Sequence, residues 1–424
     1  MILILYEIFL IFFLILFFPF IYKRIRNQKD FYGDWKERLG IFNKQLVNNL
    51  SKEKNIWIHT VSIGEFLSIL PLIEKLKKEN SIVISFTTKT GRKVAEEKLK
   101  DVYKVYFPFD ISFIVKKVIK LLNPKIILIA ETEIWPNLII NAYRKKIPLI
   151  IINGRISDNS FNRYKKVRFL TKKILPYVSK IIMRSEDEKN KIIFLGAEEK
   201  NVIVGGSFKF DTAFWLSKEI NSELVRKKYG IEENKKLIVF GSIHPEEEEG
   251  VINIIKKIMD KYKDLIFVIV PRYLDRTKIY EKLEKQLIRY IRKSQMPIKN
   301  EINVIVVDTY GELNNFYSIC DIAFVGGSLN GYGGQNPLEP ISFGKCVICG
   351  KDMFLLKYEW EIIKSKGGGI EVKNFEELYE KIIYLIENPD ISKKIGQTGY
   401  KLILKNKGAM EKMLEIINSY IYPY

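Results

Sequence analysis

Short continuous runs of Ile, Val, Leu and Phe alternate along the chain with longer amphipathic stretches, in two successive series. The first series runs "IWIHTVS", "SIVISFTT", "KVYFPF", "KIILIAE", "PLIIINGR", "KIIMRS" and "NVIVGGS", separated by helical stretches such as "GEFLSILPLIEKLKKE" and "ISFIVKKVIKLLN". The second runs "LIVFGSI", "LIFVIVPR", "NVIVVDT", "IAFVGGS" and "CVICG". An apolar run without polar alternation is a strand covered on both faces, and such strands alternating with helices make a parallel sheet. The pattern predicts two doubly wound α/β domains, residues 23–212 and 213–390. It reads 391–424 as helices packing back on the first domain.

The segment ahead of these series differs in kind. Residues 1–22, "MILILYEIFLIFFLILFFPFIY", carry a single charge, Glu7. At about 1.5 Å per helical residue they match the roughly 30 Å core of a bilayer. "KRIRNQKD" follows at once, whereas a cleavable leader carries its basic residues first and small residues after. The expectation is an N-terminal transmembrane helix with the remainder held in the cytoplasm by the basic flank.

Composition sharpens this picture. In 424 residues, 47% hydrophobic and 13% aromatic, there is material for two folded cores, which excludes a disordered chain. Cys320, Cys346 and Cys349 lack metal-ligand spacing or a secreted-domain framework, so they point only to a reducing compartment. The net charge of +20 is uneven: residues 23–212 hold 38 Lys+Arg against 20 Asp+Glu, and residues 213–424 hold 32 against 29. "RYKKVRFLTKKILPYVSK", 163–180, concentrates the excess. A basic half beside an apolar anchor suits an anionic membrane surface or an anionic lipid substrate. Nucleic acid, the other anionic partner, lacks any recognised binding motif here.

In parallel sheets ligands bind beyond the carboxyl ends of the strands, where helix N-termini present unpaired amides. The informative polar residues fall there: "SIGE", "ETEIWPN", "GSFKFD", "GSIHPEEEE", "PR" at 271–272, "GEL" at 311–313, and the glycine-rich loop "GGSLNGYGGQNPLEP". Taken alone, each reads as a turn or cap; "GSIHPEEEE" reads as acidic residues in a helix first turn. His59 reads as a core histidine. A dinucleotide oxidoreductase would want G-x-G-x-x-G after the first strand, where this chain has "VSIGEF".

Together, "WIHTVSIGE", "TTKTGRK", "FPFD", "ETEIWPNLI", "NGRIS", "GSFKFD", "GSIHPEEEE", "VPR", "DTYGEL" and "GGQNPLEP", in this order, resemble the 3-deoxy-D-manno-octulosonic acid (Kdo) transferases of lipopolysaccharide synthesis. The resemblance runs from about residue 30 to about residue 350. It implies two Rossmann-like domains around a cleft, the B-type glycosyltransferase fold, with the first domain binding the acceptor and the second CMP-Kdo. It also implies transfer of Kdo from CMP-Kdo to a lipid A precursor at the inner membrane, with inversion at the anomeric centre and with neither cofactor nor metal.

By the same matching, Glu65 is the general base, and Glu131 and Lys209 stabilise charge at the reacting centre. Glu133 stays open as an alternative to Glu131. Ser242, His244, Pro271, Arg272, Gly311, Glu312 and Leu313 surround CMP. Asn336, Pro337 and Leu338 open a helix whose N-terminus meets the phosphate, and Glu339 accepts the ribose hydroxyls. The family usually has His where this chain has Gln335, which puts any proton role there in doubt. Two other classes fit parts of the pattern: a B-type transferase using a UDP-sugar, and a membrane-anchored scaffold. The scaffold has no use for Glu65, Glu131, Lys209 and Arg272 on one rim, and thermal shift with CMP against UDP separates the two enzymes.

Overall fold

The computed structural model describes residues 6–8, 10, 12, 16, 31–50, 52–297 and 302–422. The expected transmembrane helix at 1–22 falls largely outside them, and among the described residues no helix is long and apolar enough to cross a membrane. The chain forms two compact units, Met1–Phe208 with Gly408–Tyr424, and Lys209–Lys407.

The strands of the first unit are β1 Asn55–Thr60, β2 Ile82–Phe86, β3 Tyr103–Tyr106, β4 Pro124–Ala130, β5 Leu149–Gly154, β6 Lys180–Met183 and β7 Val202–Val204. They form one parallel sheet in the order β3-β2-β1-β4-β5-β6-β7. Strands β1, β2 and β5 are buried at every position, as their unbroken apolar runs require. Helix Ser112–Leu122 closes one side with Ile114, Val115, Val118, Ile119 and Leu122, packed into the cluster that holds Trp57, Ile127 and Ile151.

The second unit contains β8 Lys236–Ile243, β9 Leu265–Pro271, β10 Ile291–Arg292, β11 Val304–Val306, β12 Ile322–Val325, β13 Cys346–Gly350 and β14 Ile370–Val372. Its parallel order is β10-β11-β9-β8-β12-β13-β14. Successive side chains of a strand point to opposite faces. Along β8, accordingly, Ile238 and Phe240 enter one core cluster while Leu237 and Val239 enter another. Both faces are dry, which is why the sequence shows no alternation. The three cysteines are buried free thiols.

Strand order reverses between β1 and β4 in the first sheet and between β8 and β12 in the second. At such a switch point the connections leave in opposite directions, and a crevice opens at the carboxyl ends of the two central strands. The helical stretch expected over 391–424 is divided: helix Pro389–Asn406 ends, Gly408 takes a φ of +102°, and a second helix runs Ala409–Ile421. That second helix buries Met410, Met413 and Ile417 and is tied to β7 by Lys412 Nζ donating to Val204 O at 2.6 Å.

Candidate functional site

Each switch point gathers polar groups, and each lies within its own unit. After β1, Ser62 caps helix Ile63–Leu76 by accepting from the Glu65 amide at 3.2 Å. The Glu65 carboxylate reaches back, accepting from Val61 N at 2.7 Å and Ser62 Oγ at 3.0 Å. This reciprocal pair is a capping box, and it accounts for where Glu65 sits. It does not account for the neighbouring carboxylates. Glu131 and Glu133 follow β4, the strand across the switch point, and both interact electrostatically with Glu65 or with each other.

Burial raises the Glu65 pKa and the Glu131 charge adds to the rise, against the pull of the Val61 amide and Ser62. Glu133 is pushed up to about 7, first by burial and then by the charges of Glu65 and Glu131. Glu131 stands at a φ of +57°, left-handed backbone that costs a non-glycine residue roughly 1–2 kcal/mol. Asn153 and Ser242, each next to last in its strand, β5 and β8, share this conformation, at +50° and +56°. Strain of this kind gathers where backbone shape serves something other than stability.

An aromatic cluster packs around His59 of β1. His59 is fully buried, stacked on Phe107 at 3.8 Å between ring centroids and edge-on to Trp135 at 6.1 Å, with its pKa lowered by burial to about 3. It is a core histidine, as the sequence suggested. Asp110 of "FPFD" was not foreseen as part of the site. Its buried carboxylate accepts from Asn137 N at 2.9 Å and Leu138 N at 2.8 Å, anchoring the helix that follows "ETEIW".

A pH measurement checks the charge crowding. Glu133 holds a proton more tightly in the folded protein, about 7, than at its ordinary value of 4.5. Its contribution to stability is therefore full below about pH 4.5 and lost as pH rises through 7. Urea unfolding at pH 5 and pH 8 should show Glu133→Gln removing a drop on the order of 2 kcal/mol. Parallel pH dependences in variant and wild type would refute the crowding.

At the second switch point, Arg272 N donates to Ile243 O at 2.8 Å, which brings Arg272 beside Ser242 and His244 at the ends of β8 and β9. His244 is 2% exposed, and neither ring nitrogen has a hydrogen-bond partner among the described residues. Burial and the Arg272 charge lower its pKa, which favours the neutral ring. Glu339 lies close enough to feel Arg272, and Asn336 Nδ2 donates to its Oε1 at 3.2 Å. Burial pushes the Glu339 carboxyl up to about 7 against both. Its helix is one short turn, Leu338–Ser342, which starts two residues later than the expected Asn336; Asn336 Oδ1 instead accepts from Leu338 N at 3.2 Å.

Pro271 is the last, buried residue of β9. Gly311 takes a φ of +83° before the helix Leu313–Ile319. The Glu312 side chain is committed elsewhere. It pairs with Lys293, accepts from Tyr229, and accepts from Asn315 Nδ2 at 2.8 Å; against the burial that would raise its pKa, these partners hold it at about 2. Lys209 stands on the first turn of helix Phe208–Glu219. The structure thus brings Glu65 together with Glu131 and Glu133, and Arg272 together with His244 and Glu339, while Lys209 belongs to the segment joining the units.

The acidic run of "HPEEEE" departs from the cap expected of it. Glu247 occupies the N-cap position of helix Glu248–Lys261, yet no side-chain cap bond forms. Glu248 reaches the segment after β9 instead, accepting from Thr277 Oγ1 at 2.6 Å, Lys278 N at 3.2 Å and Lys282 Nζ at 2.8 Å. Four consecutive acids exceed what a first turn uses, and that was the available signal.

Two parallel sheets, each with polar residues gathered at its switch point, make this a B-type glycosyltransferase fold. Residues 221–402 match the model for glycosyl transferases group 1, and residues 33–212 match that for 3-deoxy-D-manno-octulosonic-acid transferase (kdotransferase). The Haemophilus influenzae 3-deoxy-D-manno-octulosonic acid transferase is 30% identical over 87% of each chain. The Aquifex aeolicus enzyme of the same name is 33% identical over 78% of this chain and 86% of its own. The chain belongs to the Kdo transferase family. A solved UDP-GlcNAc 2-epimerase from Neisseria meningitidis shares the fold at a TM-score of 0.61 and 17% identity, over 87% of this chain and 100% of that one.

Proposed function

We propose that the protein transfers Kdo from CMP-Kdo to a lipid A precursor at the inner membrane, with the first unit receiving the acceptor and the second holding the donor. What supports this reading is the placement of the family's motif residues at both switch points. Glu65, ionised, takes the proton of the acceptor hydroxyl as that oxygen bonds to the anomeric carbon of Kdo. The bond from that carbon to CMP breaks on the opposite face, and its electron pair leaves on the phosphate, so configuration inverts. Lys209 and Glu131 stabilise the opposite charges that develop.

In the donor half, Arg272 and His244 face the phosphate with Ser242 beside them, and Glu339 accepts the ribose hydroxyls. Pro271 and Asn336, Pro337 and Leu338 shape the pocket. Gly311, Glu312 and Leu313 contribute main chain, since the Glu312 carboxylate is already paired.

The membrane part of the proposal rests on residues 1–22 and on the basic face of the first unit. Helix Asp158–Lys166 buries none of its residues and carries Arg163, Lys165 and Lys166 in its last turn, and Phe169 just beyond is 61% exposed. Cations around exposed aromatic side chains suit an anionic lipid surface. Incubation with CMP-Kdo and vesicles carrying the lipid A precursor should give a product heavier by Kdo in mass spectrometry, and loss of residues 1–22 should reduce co-sedimentation with those vesicles. A product formed from a UDP-sugar instead would overturn the donor assignment.

A further inference from the structure

The glycine-rich loop 326–335 is a held structure. Gly326 N donates to Gly241 O at 2.8 Å, Gly334 N to Gly327 O at 2.8 Å, and Gln335 N to Gly326 O at 3.1 Å, so the loop closes on its own base. Further out, Gly331 N donates to Asp352 Oδ2 at 2.9 Å and the Tyr332 hydroxyl to Glu246 Oε1 at 3.1 Å. At the base lies Glu247, with no exposed surface. Its Oε2 accepts from Gly327 N at 2.7 Å and from His244 N at 3.1 Å, and its Oε1 accepts from Leu329 N at 3.3 Å.

The packing allows no alternative at Gly326, where a Cβ would lie 2.5 Å from Ser242 O and 2.9 Å from Glu247 Oε2. Gly327, at a φ of +69°, would carry a Cβ 3.1 Å from His244 Nε2. One buried carboxylate thus joins the end of β8, where His244 stands, to the loop that follows β12, across the switch point between them.

We propose that Glu247 is a positioning residue of the donor half, fixing the His244 ring and the glycine loop in the one arrangement that receives the nucleotide phosphate. The inference rests on the donor reading above and adds to it a residue that touches no substrate. A carboxylate suits the task because it is acceptor-only and offers two oxygens to amides converging from two chain segments. Glutamine would turn an NH₂ toward one of those amides, and aspartate would fall short by a methylene. The His244 ring nitrogens are buried without hydrogen-bond partners among the described residues, and the ring packs on Tyr332, 4.2 Å away between centroids, and edge-on to Tyr273 at 5.5 Å. A shift of the loop moves Tyr332 and opens that enclosure.

The test pairs amide hydrogen exchange of the unliganded protein with calorimetric CMP binding and with kinetics on CMP-Kdo, for wild type and Glu247→Gln. The expected result is loss of protection at Gly327 and Leu329, CMP affinity weaker by about tenfold or more, and KM for CMP-Kdo raised with kcat much less affected. A purely structural Glu247 would lower the melting temperature and leave the affinity of the folded protein unchanged, and that outcome overturns the inference. Retained protection overturns it equally.

Should Glu247→Gln fail to fold, Gly327→Ala decides. It leaves the carboxylate in place and displaces the loop, so CMP affinity must fall likewise, and unchanged affinity overturns the inference. A wild-type chain that does not bind CMP overturns the donor reading and this inference together. Normal wild-type binding with unchanged affinity in the variants overturns this inference alone.

Discussion

Glu65→Gln should lower transfer by roughly 10²–10⁴-fold while CMP affinity and melting temperature stay near those of wild type. The substitution isolates proton transfer because the capping box at the start of helix Ile63–Leu76 accepts glutamine in place of glutamate. The single glutamine oxygen still accepts from Val61 N while its NH₂ donates to Ser62 Oγ, reversing that one bond, so the helix keeps its terminus. If capping were the whole role of Glu65, turnover would survive. The surrounding charge argues otherwise, since a cap has no use for Glu131 nearby raising the carboxyl pKa. Transfer rate and thermal stability measured on one preparation decide the matter: near wild-type turnover removes Glu65 from the mechanism and moves the search to Glu131 or Glu133.

Glu339→Ala should weaken CMP binding by about 10²–10⁴-fold, because two charge-assisted hydrogen bonds worth about 1.5–3 kcal/mol each are lost together. The protonation state adds a second signature. Burial holds the Glu339 carboxyl up at about 7 in the empty protein. Only the ionised form offers both oxygens to the ribose hydroxyls. Wild-type affinity should therefore fall as pH drops below about 7, with a proton released on binding along that limb and none above it, and Glu339→Gln should flatten the dependence. Titration calorimetry at pH 6 and pH 8 reads both effects. Unchanged CMP affinity in Glu339→Ala would show that the ribose is held elsewhere.

The central strands were legible because both faces of each sheet are dry. "IWIHT", "IILIA" and "LIVFG" carry the same unbroken apolar signal as the strands observed there. The strands missed, Ile291–Arg292 and Ile370–Val372, sit at the edges of the second sheet. They are two and three residues long, too short for a periodicity to emerge, and they lie beside "KSQ" and behind three glycines.

Residues at strand ends were readable as a rim because parallel topology forces them there. Their grouping was not. Glu65 and Glu131 are 66 positions apart, and only the β1–β4 adjacency makes them neighbours. The work of Glu247 was hidden for a related reason. An acid in a helix first turn has a sufficient local explanation, and nothing in "HPEEEE" reveals that its partners lie 80 and 82 residues downstream.

The return of the chain from the second unit to the first has a consequence for synthesis. Residues 409–421 supply Met410, Met413 and Ile417 to the interior of the unit built mainly from the first 208 residues. On the ribosome, strands β1–β7 emerge well before that helix exists, and the surface it covers stays open while the whole second unit is translated. The second unit, contiguous from Lys209 to Lys407, can close as soon as it is made. Order of emergence and order of completion are therefore reversed. The half that appears first is finished last, and a chain stopped before residue 409 leaves it with an uncovered apolar face.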